Sequence, residues 1–398
     1  MSPEFGGRAE EAGPARGVWR TGIFLTLLLV AFGAFGLFAG TFAVLLADLS
    51  GALDLSPGPL GLALFVGAAA SILAMATLGW TADRLGRREF LVVVGTVVGV
   101  GVVALASASG YVALLAALVV LYAATGLYDV GINAAAVDLE NATGRRFMAV
   151  LHAAFSAGGV VGALCAGVLL SVGMNYRYVF LAALFPLGAV VLAVATIRFP
   201  PQGEPPKRGD EAGAPGLYRS LPLILIAAIA TLALLSEGEM EHWSGVYLRT
   251  TLGLPALLGG SGVAVFFGAM AIGRLGAALV IARLGNRRTL LGAGLLAAGG
   301  MALALATREP LLVVAGFLVV GLALAAVVPI AFSIAGDIAP ERAGAAISVV
   351  TTLGYGGFLL GPVIVGGLAE VIGLRAALGV IAVSGLLIFI LALRLKGD

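Results

Sequence analysis

Two pairs of polar residues stand one helical turn apart inside long apolar runs: Asp129 with Asn133, and His152 with Ser156. Arg274 lies in a third such run, and a fourth carries Glu237, Glu239, Glu241, His242 and Trp243. A carboxylate, an imidazole and a guanidinium can bind a polar solute through charge-assisted hydrogen bonds, or pass a proton. His152 and Ser156 also have the types of a base and a nucleophile, with Asp129 to orient them. On one helical turn nothing supplies an oxyanion hole, so an enzyme is not expected. No metal site and no cofactor are expected either.

The runs that hold these groups explain why they matter. Of 398 residues, 61% are hydrophobic and 11% charged, against roughly 25% charged in soluble domains. Apolar stretches recur near 22–47, 57–80, 88–108, 111–139, 147–172 and 178–198, then near 220–247, 257–282, 289–307, 310–337, 344–371 and 373–394. Each can cross a ~30 Å hydrocarbon core as a helix. The fold class is therefore all-α membrane protein, with twelve transmembrane helices. In that setting a charge at mid-membrane costs at least ~2.5–3.5 kcal/mol, which makes each buried ionisable residue a functional candidate. Asn133, His152 and Arg274 fall in the inner half of the bilayer by helical rise. Glu237 is expected in the outer third, as the best-buried proton carrier, with Glu239 and Glu241 solvated at the rim. Trp243 reads as an interfacial anchor or a stacking ring. Phe35, Phe38 and Phe42, with Tyr122 and Tyr128, are placed to line a cavity.

The order of the pieces is a 1–20 tail, a 21–198 six-helix bundle, a 199–219 linker, a 220–394 six-helix bundle and a 395–398 tail. The linker holds Pro200, Pro201, Pro205, Pro206 and Pro215 among charges, too polar and too proline-rich to insert. With both termini cytoplasmic, the loops and tails inside carry eighteen Lys and Arg; outside are Arg177, Arg249, Arg308 and Arg375. That positive-inside bias supports twelve spans. The net charge of +2 is spread over short loops and gives no nucleic-acid surface. Cys165, the one cysteine, excludes an intrachain disulfide. The halves also repeat at an offset of 199 residues: Arg84-Leu85-Gly86 returns as Arg283-Leu284-Gly285, Asp138 as Asp337, and Gly158 and Gly162 as Gly357 and Gly361. A parallel repeat implies two pseudo-symmetric bundles with a site between them.

The stretch Gly79-Trp80-Thr81-Ala82-Asp83-Arg84-Leu85-Gly86-Arg87-Arg88 resembles the loop 2–3 signature of the major facilitator superfamily, with a weaker copy at Arg283 to Arg288. Asp129 to Asn133, His152 to Ser156, Trp243 to Leu248 and Gly354 to Phe358 are similar to the bacterial fucose-permease-like branch. The resemblance implies a multi-pass bacterial inner-membrane protein in which spans five and eight meet between the halves. It implies a secondary transporter moving a small polar, sugar-like solute by alternating access, coupled to protons. Solute, protons and the bilayer are its partners, and the chain is read as a monomer. Proton symport in that branch is associated with an acid in the first span, and none lies between Gly22 and Ala47 here. The alternatives are efflux antiport and a sensor without flux. Efflux proteins usually carry an arginine in span four and Gly-Pro in span five, whereas here Gly361-Pro362 is in span eleven.

The signature loop also reads as a latch. Gly86 permits a tight turn, Asp83 is expected against a helix N-terminus of the other half, and Asp138 is expected to pair with Arg84 or Arg88. Asp337 is expected to pair with Arg283 or Arg287, while Ala282 replaces the second copy of Asp83.

Overall fold

The computed structural model describes residues 20–200, 217 and 220–395. The two tails and most of the 199–219 linker read from the sequence lie outside the described residues. Among those described, every regular element is a helix. Eleven helices are long and apolar enough to cross a membrane. The longest, Ala256–Ala306, has 51 residues; at 1.5 Å per residue it would measure ~76 Å, over twice the ~30 Å core. It is two spans. The break is at Gly285, with φ 77° and ψ 166°, and Gly86 turns the chain at the equivalent place with φ 93° and ψ 142°. Both lie in a region that glycine reaches without steric cost.

The spans are α1 (Thr21–Ala52), α2 (Pro57–Leu78), α3 (Arg87–Ser107), α4 (Tyr111–Thr143), α5 (Met148–Ser171), α6 (Tyr176–Thr196), α7 (Leu221–Thr251), α8 (256–284), α9 (286–306), α10 (Pro310–Ile338), α11 (Ala343–Ile372) and α12 (Leu374–Leu393). Twelve crossings put residues 20, 200, 220 and 395 on one face, called here the terminal face. α1–α6 and α7–α12 form two six-helix bundles, and small residues set their internal contacts in the same way. In the first, α5 lies on α1 so closely that a Cβ on Gly158 would sit 2.0 Å from the Gly33 carbonyl oxygen. In the second, α11 lies on α7, and a Cβ on Gly357 would sit 2.2 Å from the Thr231 carbonyl oxygen. Backbones that approach this closely gain dispersion where lipid offers no hydrophobic drive.

The bundles meet along two seams, α5 with α8 and α2 with α11. Away from the terminal face both seams are tight. A Cβ on Gly61 would fall 2.2 Å from the Pro362 carbonyl oxygen, and one on Gly366 would fall 2.6 Å from that of Pro57. Polar contacts join the bundles at the same level: Arg249 donates to Asp48 at 2.9 Å, and the Gly58 N–H donates to Glu370 Oε1 at 2.6 Å. The halves are thus clamped at the face opposite the terminal face.

The signature loop departs from its expected pairing. Arg87, and neither Arg84 nor Arg88, is the hub: its guanidinium reaches Asp83 at 2.5 Å and Asp138 at 2.9 Å. Gly86 ends the short helix Thr81–Leu85 and Arg87 opens α3, so Arg87 points back along the loop while Arg88 falls about 100° further round the helix. Arg88 donates to the Ala195 carbonyl of α6, and Arg84 lies 4.5 Å over the Trp80 ring. Asp83 is engaged inside its own loop rather than with the other half. In the second copy Asp337 forms no ion pair with Arg283 or Arg287 among the described residues; Arg287 donates to the Leu393 carbonyl at 3.3 Å. Without a second carboxylate at position 282, that copy lacks the acid pair on which an arginine hub is built. Gly79 caps α2, its N–H bonding the Met75 carbonyl at 3.0 Å.

Replacing Gly61 by valine should prise α2 from α11 at the clamped face. In a Cys165→Ser background, Ala39→Cys is the reporter for a membrane-impermeant maleimide applied to that face. Labelling should speed up several-fold with Gly61→Val; an unchanged rate would mean that this contact does not hold the face shut.

Candidate functional site

Between the bundles lies a cavity of about 420 Å³. The first bundle contributes Asp129 and Tyr122 from α4, His152 from α5 and Ser71 from α2; the second contributes Glu237 and Glu241 from α7, Arg274 from α8 and Tyr355 from α11. Phe35, Phe155, Phe332 and Phe358 supply aromatic walls. The cavity reaches Met75 in the last turn of α2, toward the terminal face. Toward the clamped face it adjoins a second cavity of about 190 Å³, lined by Phe38, Phe42, Glu241 and His242 among others.

The strongest contact in the site joins Arg274 to Glu237 at 2.6 Å. Arg274 also reaches the Ser156 hydroxyl at 3.4 Å, across the α5–α8 seam. Breaking such a pair strands a charge at membrane depth, whereas forming it neutralises both groups. Across the cavity Asp129 is held by its own helix: Asn133 donates its side-chain N–H to Asp129 Oδ1 at 3.0 Å and to the Asp129 carbonyl at 2.9 Å. His152 packs edge-on to Phe32, with ring centroids 5.4 Å apart. A second bond between the bundles lies in the wall of the smaller cavity, where the Tyr122 hydroxyl and His242 Nε2 are 3.2 Å apart. The other His242 nitrogen, Nδ1, is 2.7 Å from the Gly238 carbonyl and donates to it, so Nε2 accepts from the Tyr122 hydroxyl.

Asp129, His152, Glu237, Arg274 and Tyr122 therefore come together around one cavity, and Phe38 lines its extension. Asn133, Ser156 and Trp243 stand behind the wall. Asn133 serves Asp129, and Ser156, fully buried, serves Arg274. Trp243 is also fully buried, neither an anchor at the membrane surface nor a ring facing a solute. Tyr128 packs behind Phe35, with centroids 5.4 Å apart. The expected rim position of Glu239 and Glu241 is overturned as well. α7 continues to Thr251 through a π-helical turn at Tyr247–Thr251, which puts Glu237 near mid-span and draws both other acids inward. Glu241 lines the cavity and Glu239 has no exposed surface. The helical spacing of Glu237 and Glu241 already carried a sign that they share a face. The Asp48–Arg249 clamp left only a faint trace: two lone opposite charges, each where a span meets the same face.

The model of the Major Facilitator Superfamily matches residues 24–277 and 247–398 of this chain. The chain belongs to the Major Facilitator Superfamily. Among superfamily relatives, an uncharacterised MFS-type transporter of Yersinia pestis is 32% identical, over 89% of this chain and 91% of its own. Membrane protein MosC of Rhizobium meliloti is 30% identical, over 90% and 88%. In fold the chain is similar to the nucleoside transporter NupG, with a TM-score of 0.78, 16% identity and coverage of 94% and 100%. It is similar too to a bacterial homologue of the human lysosomal transporter Spinster, with a TM-score of 0.75, 17% identity and coverage of 93% and 95%. The protein is a membrane transporter of this superfamily and not an enzyme.

Because Glu237 and Arg274 stabilise one another's charge, removing either alone should cost more than removing both. Arg274→Gln and Glu237→Gln should each lower the detergent melting temperature by several degrees, with loss of a buried partner worth roughly 3–5 kcal/mol before solvent in the cavity reduces it. The Glu237→Gln/Arg274→Gln double variant should regain at least part of the loss. Additive losses in a double-mutant cycle would show that the two do not act as a unit.

Proposed function

We propose that this transporter moves a small, uncharged, hydroxyl-rich ring compound of the sugar class by alternating access, coupled to protons. The observation that carries this reading is that ionisable and hydroxyl-bearing side chains of both bundles face one cavity with aromatic walls. A volume of about 420 Å³ lies within the ~300–1,000 Å³ range of small-molecule sites. Fixed acceptors at Asp129 and Glu237, donors at Arg274 and Tyr355, and flat apolar rings suit a molecule with polar edges and an apolar face. The likeness in fold to the nucleoside transporter NupG supports extending the class to ribose-bearing solutes.

Proton coupling is supported by the ionisable groups at mid-span. A carboxylate that pairs with Arg274 in one state and takes a proton in the other can tie solute binding to proton uptake, which is the role proposed for Glu237. The acid-free first span does not conflict with this, because the candidate carriers lie on α4 and α7. The positive-inside bias supports placing the terminal face in the cytoplasm of a bacterial cell. The clamp at Asp48–Arg249 and Gly61–Gly366 then closes the outer side, with the cavity directed inward. Both bundles lie on one chain and complete the cavity between them, which supports action as a monomer.

Counterflow in proteoliposomes tests this with D-glucose, L-fucose and uridine as labelled probes and ethidium as the contrasting cation. At least one hydroxylated probe should exchange, and Asp129→Asn and Arg274→Gln should each slow it about tenfold or more, in line with ~1.5–3 kcal/mol for a hydrogen bond to a charged group. Exchange of ethidium alone would favour efflux. Wild-type rates in both variants would remove the proposed site.

A further inference from the structure

α7 has a second polar face, turned away from the cavity. Glu237 and Glu241 look into the space between the bundles, but Glu239, Trp243 and Tyr247, spaced four residues apart, are all at 0% exposure inside the second bundle. Both Glu239 carboxyl oxygens, the Trp243 indole nitrogen and the Tyr247 hydroxyl have no hydrogen-bond partner among the described residues. Buried polar atoms without partners are few in folded proteins, and each calls for an explanation. Three in register along one helix call for a common one.

The surroundings are apolar and shaped around the acid. Gly361 of α11 makes room for it: a Cβ there would lie 2.2 Å from Glu239 Oε1. Tyr247 packs on Phe317 of α10, with ring centroids 6.4 Å apart, and Arg375, at the clamped-face end of α12, donates to the Leu305 carbonyl. α12 has no ionisable residue from Gly379 to Leu393, and α10 has only Asp337 at its terminal-face end. α11 has Tyr355, which lines the cavity, and Glu370, which is bound to Gly58. From the remaining neighbours of α7, Arg274 of α8 is taken by Glu237 and Asp48 of α1 by Arg249. No cation is within ion-pairing distance of Glu239 among the described residues. An unpaired carboxylate in such a place would cost far more than a neutral acid, which needs only ordinary hydrogen-bond partners.

We infer that Glu239 is a proton-binding site inside the second bundle, reached from the clamped face along a water file past Tyr247 and Trp243. Four residues of helix rise ~6 Å, which is the span that one water bridges with two hydrogen bonds of about 2.8–3.0 Å. The file faces one side of α7 and the cavity the other. Tilting of this helix can therefore change the proton's access and the solute's contacts together. That coupling role rests on the transport reading above; the site itself does not.

Infrared spectroscopy of the full chain in lipid at neutral pH tests the site without any solute. The wild type minus Glu239→Gln difference spectrum should hold the carbonyl band of a protonated carboxylic acid, and Glu237→Gln should leave that band in place. In heavy water the band should move down, several-fold more slowly in Tyr247→Phe. Absence of the band from the difference spectrum would overturn the site, and equal exchange rates would overturn the file. If Glu239→Gln does not fold, Gly361→Ala decides, because a methyl group against the carboxyl must shift the band; an unmoved band overturns the assignment. In proteoliposomes, Glu239→Gln should keep counterflow of the exchanging probe yet lose about tenfold or more of its accumulation under a proton gradient. Wild-type accumulation would overturn the coupling role alone. Failure of the wild type to exchange any hydroxylated probe would reject the sugar-class reading and leave the infrared result to decide the site.

Discussion

An ion in hydrocarbon must find a counter-ion, a wet space or a proton, and the interior of this transporter poses that choice three times within a few turns. Arg274 and Glu237 meet each other across α7 and α8. Asp129 and Glu241 open onto the cavity. Glu239 is buried with no counter-ion among the described residues, and a proton is the outcome proposed for it. The bundle geometry follows from this constraint, because polar groups from separate helices can meet only where small residues let backbones close up around them.

Those close approaches also explain how the molecule can have two faces in different states. Glycine-lined seams such as Gly61 against Pro362 bring backbone to backbone with no side chain between. Few side-chain contacts must be undone to part them, while Asp48–Arg249 and Glu370–Gly58 add polar contacts that water can replace at the membrane surface. The Arg87 hub works differently: it binds Asp83 and Asp138 of the same bundle and so stiffens one half rather than joining two.

α7 connects these parts. It carries the cavity acids on one side, the enclosed Glu239–Trp243–Tyr247 stripe on another, and Arg249 of the clamp at its end. A rotation of this helix would disturb the cavity lining, the buried acid and the seal of the clamped face at once. Its π-helical last turn, Tyr247–Thr251, lies where such a motion would have to be absorbed.

The chain alone announced the spans, their number and the internal repeat. Membrane thickness imposes a length on each apolar run, and a miscounted helix would have put the loop arginines on both faces. It also singled out Asp129, His152, Glu237 and Arg274, which line one cavity, since charges in apolar runs are conspicuous by cost. Which of them meet was decided by tertiary structure. Asn133 turned to Asp129, Ser156 to Arg274, and Arg87 displaced its two arginine neighbours, because partner choice depends on helix rotation and on contacts more than 100 residues apart in sequence, as between Arg274 and Ser156. Depth was decided there too: four more residues at the end of α7 moved Glu239 from an expected wet rim to the buried interior of the bundle. Hydropathy records how apolar a stretch is, but not which side of a helix looks toward water.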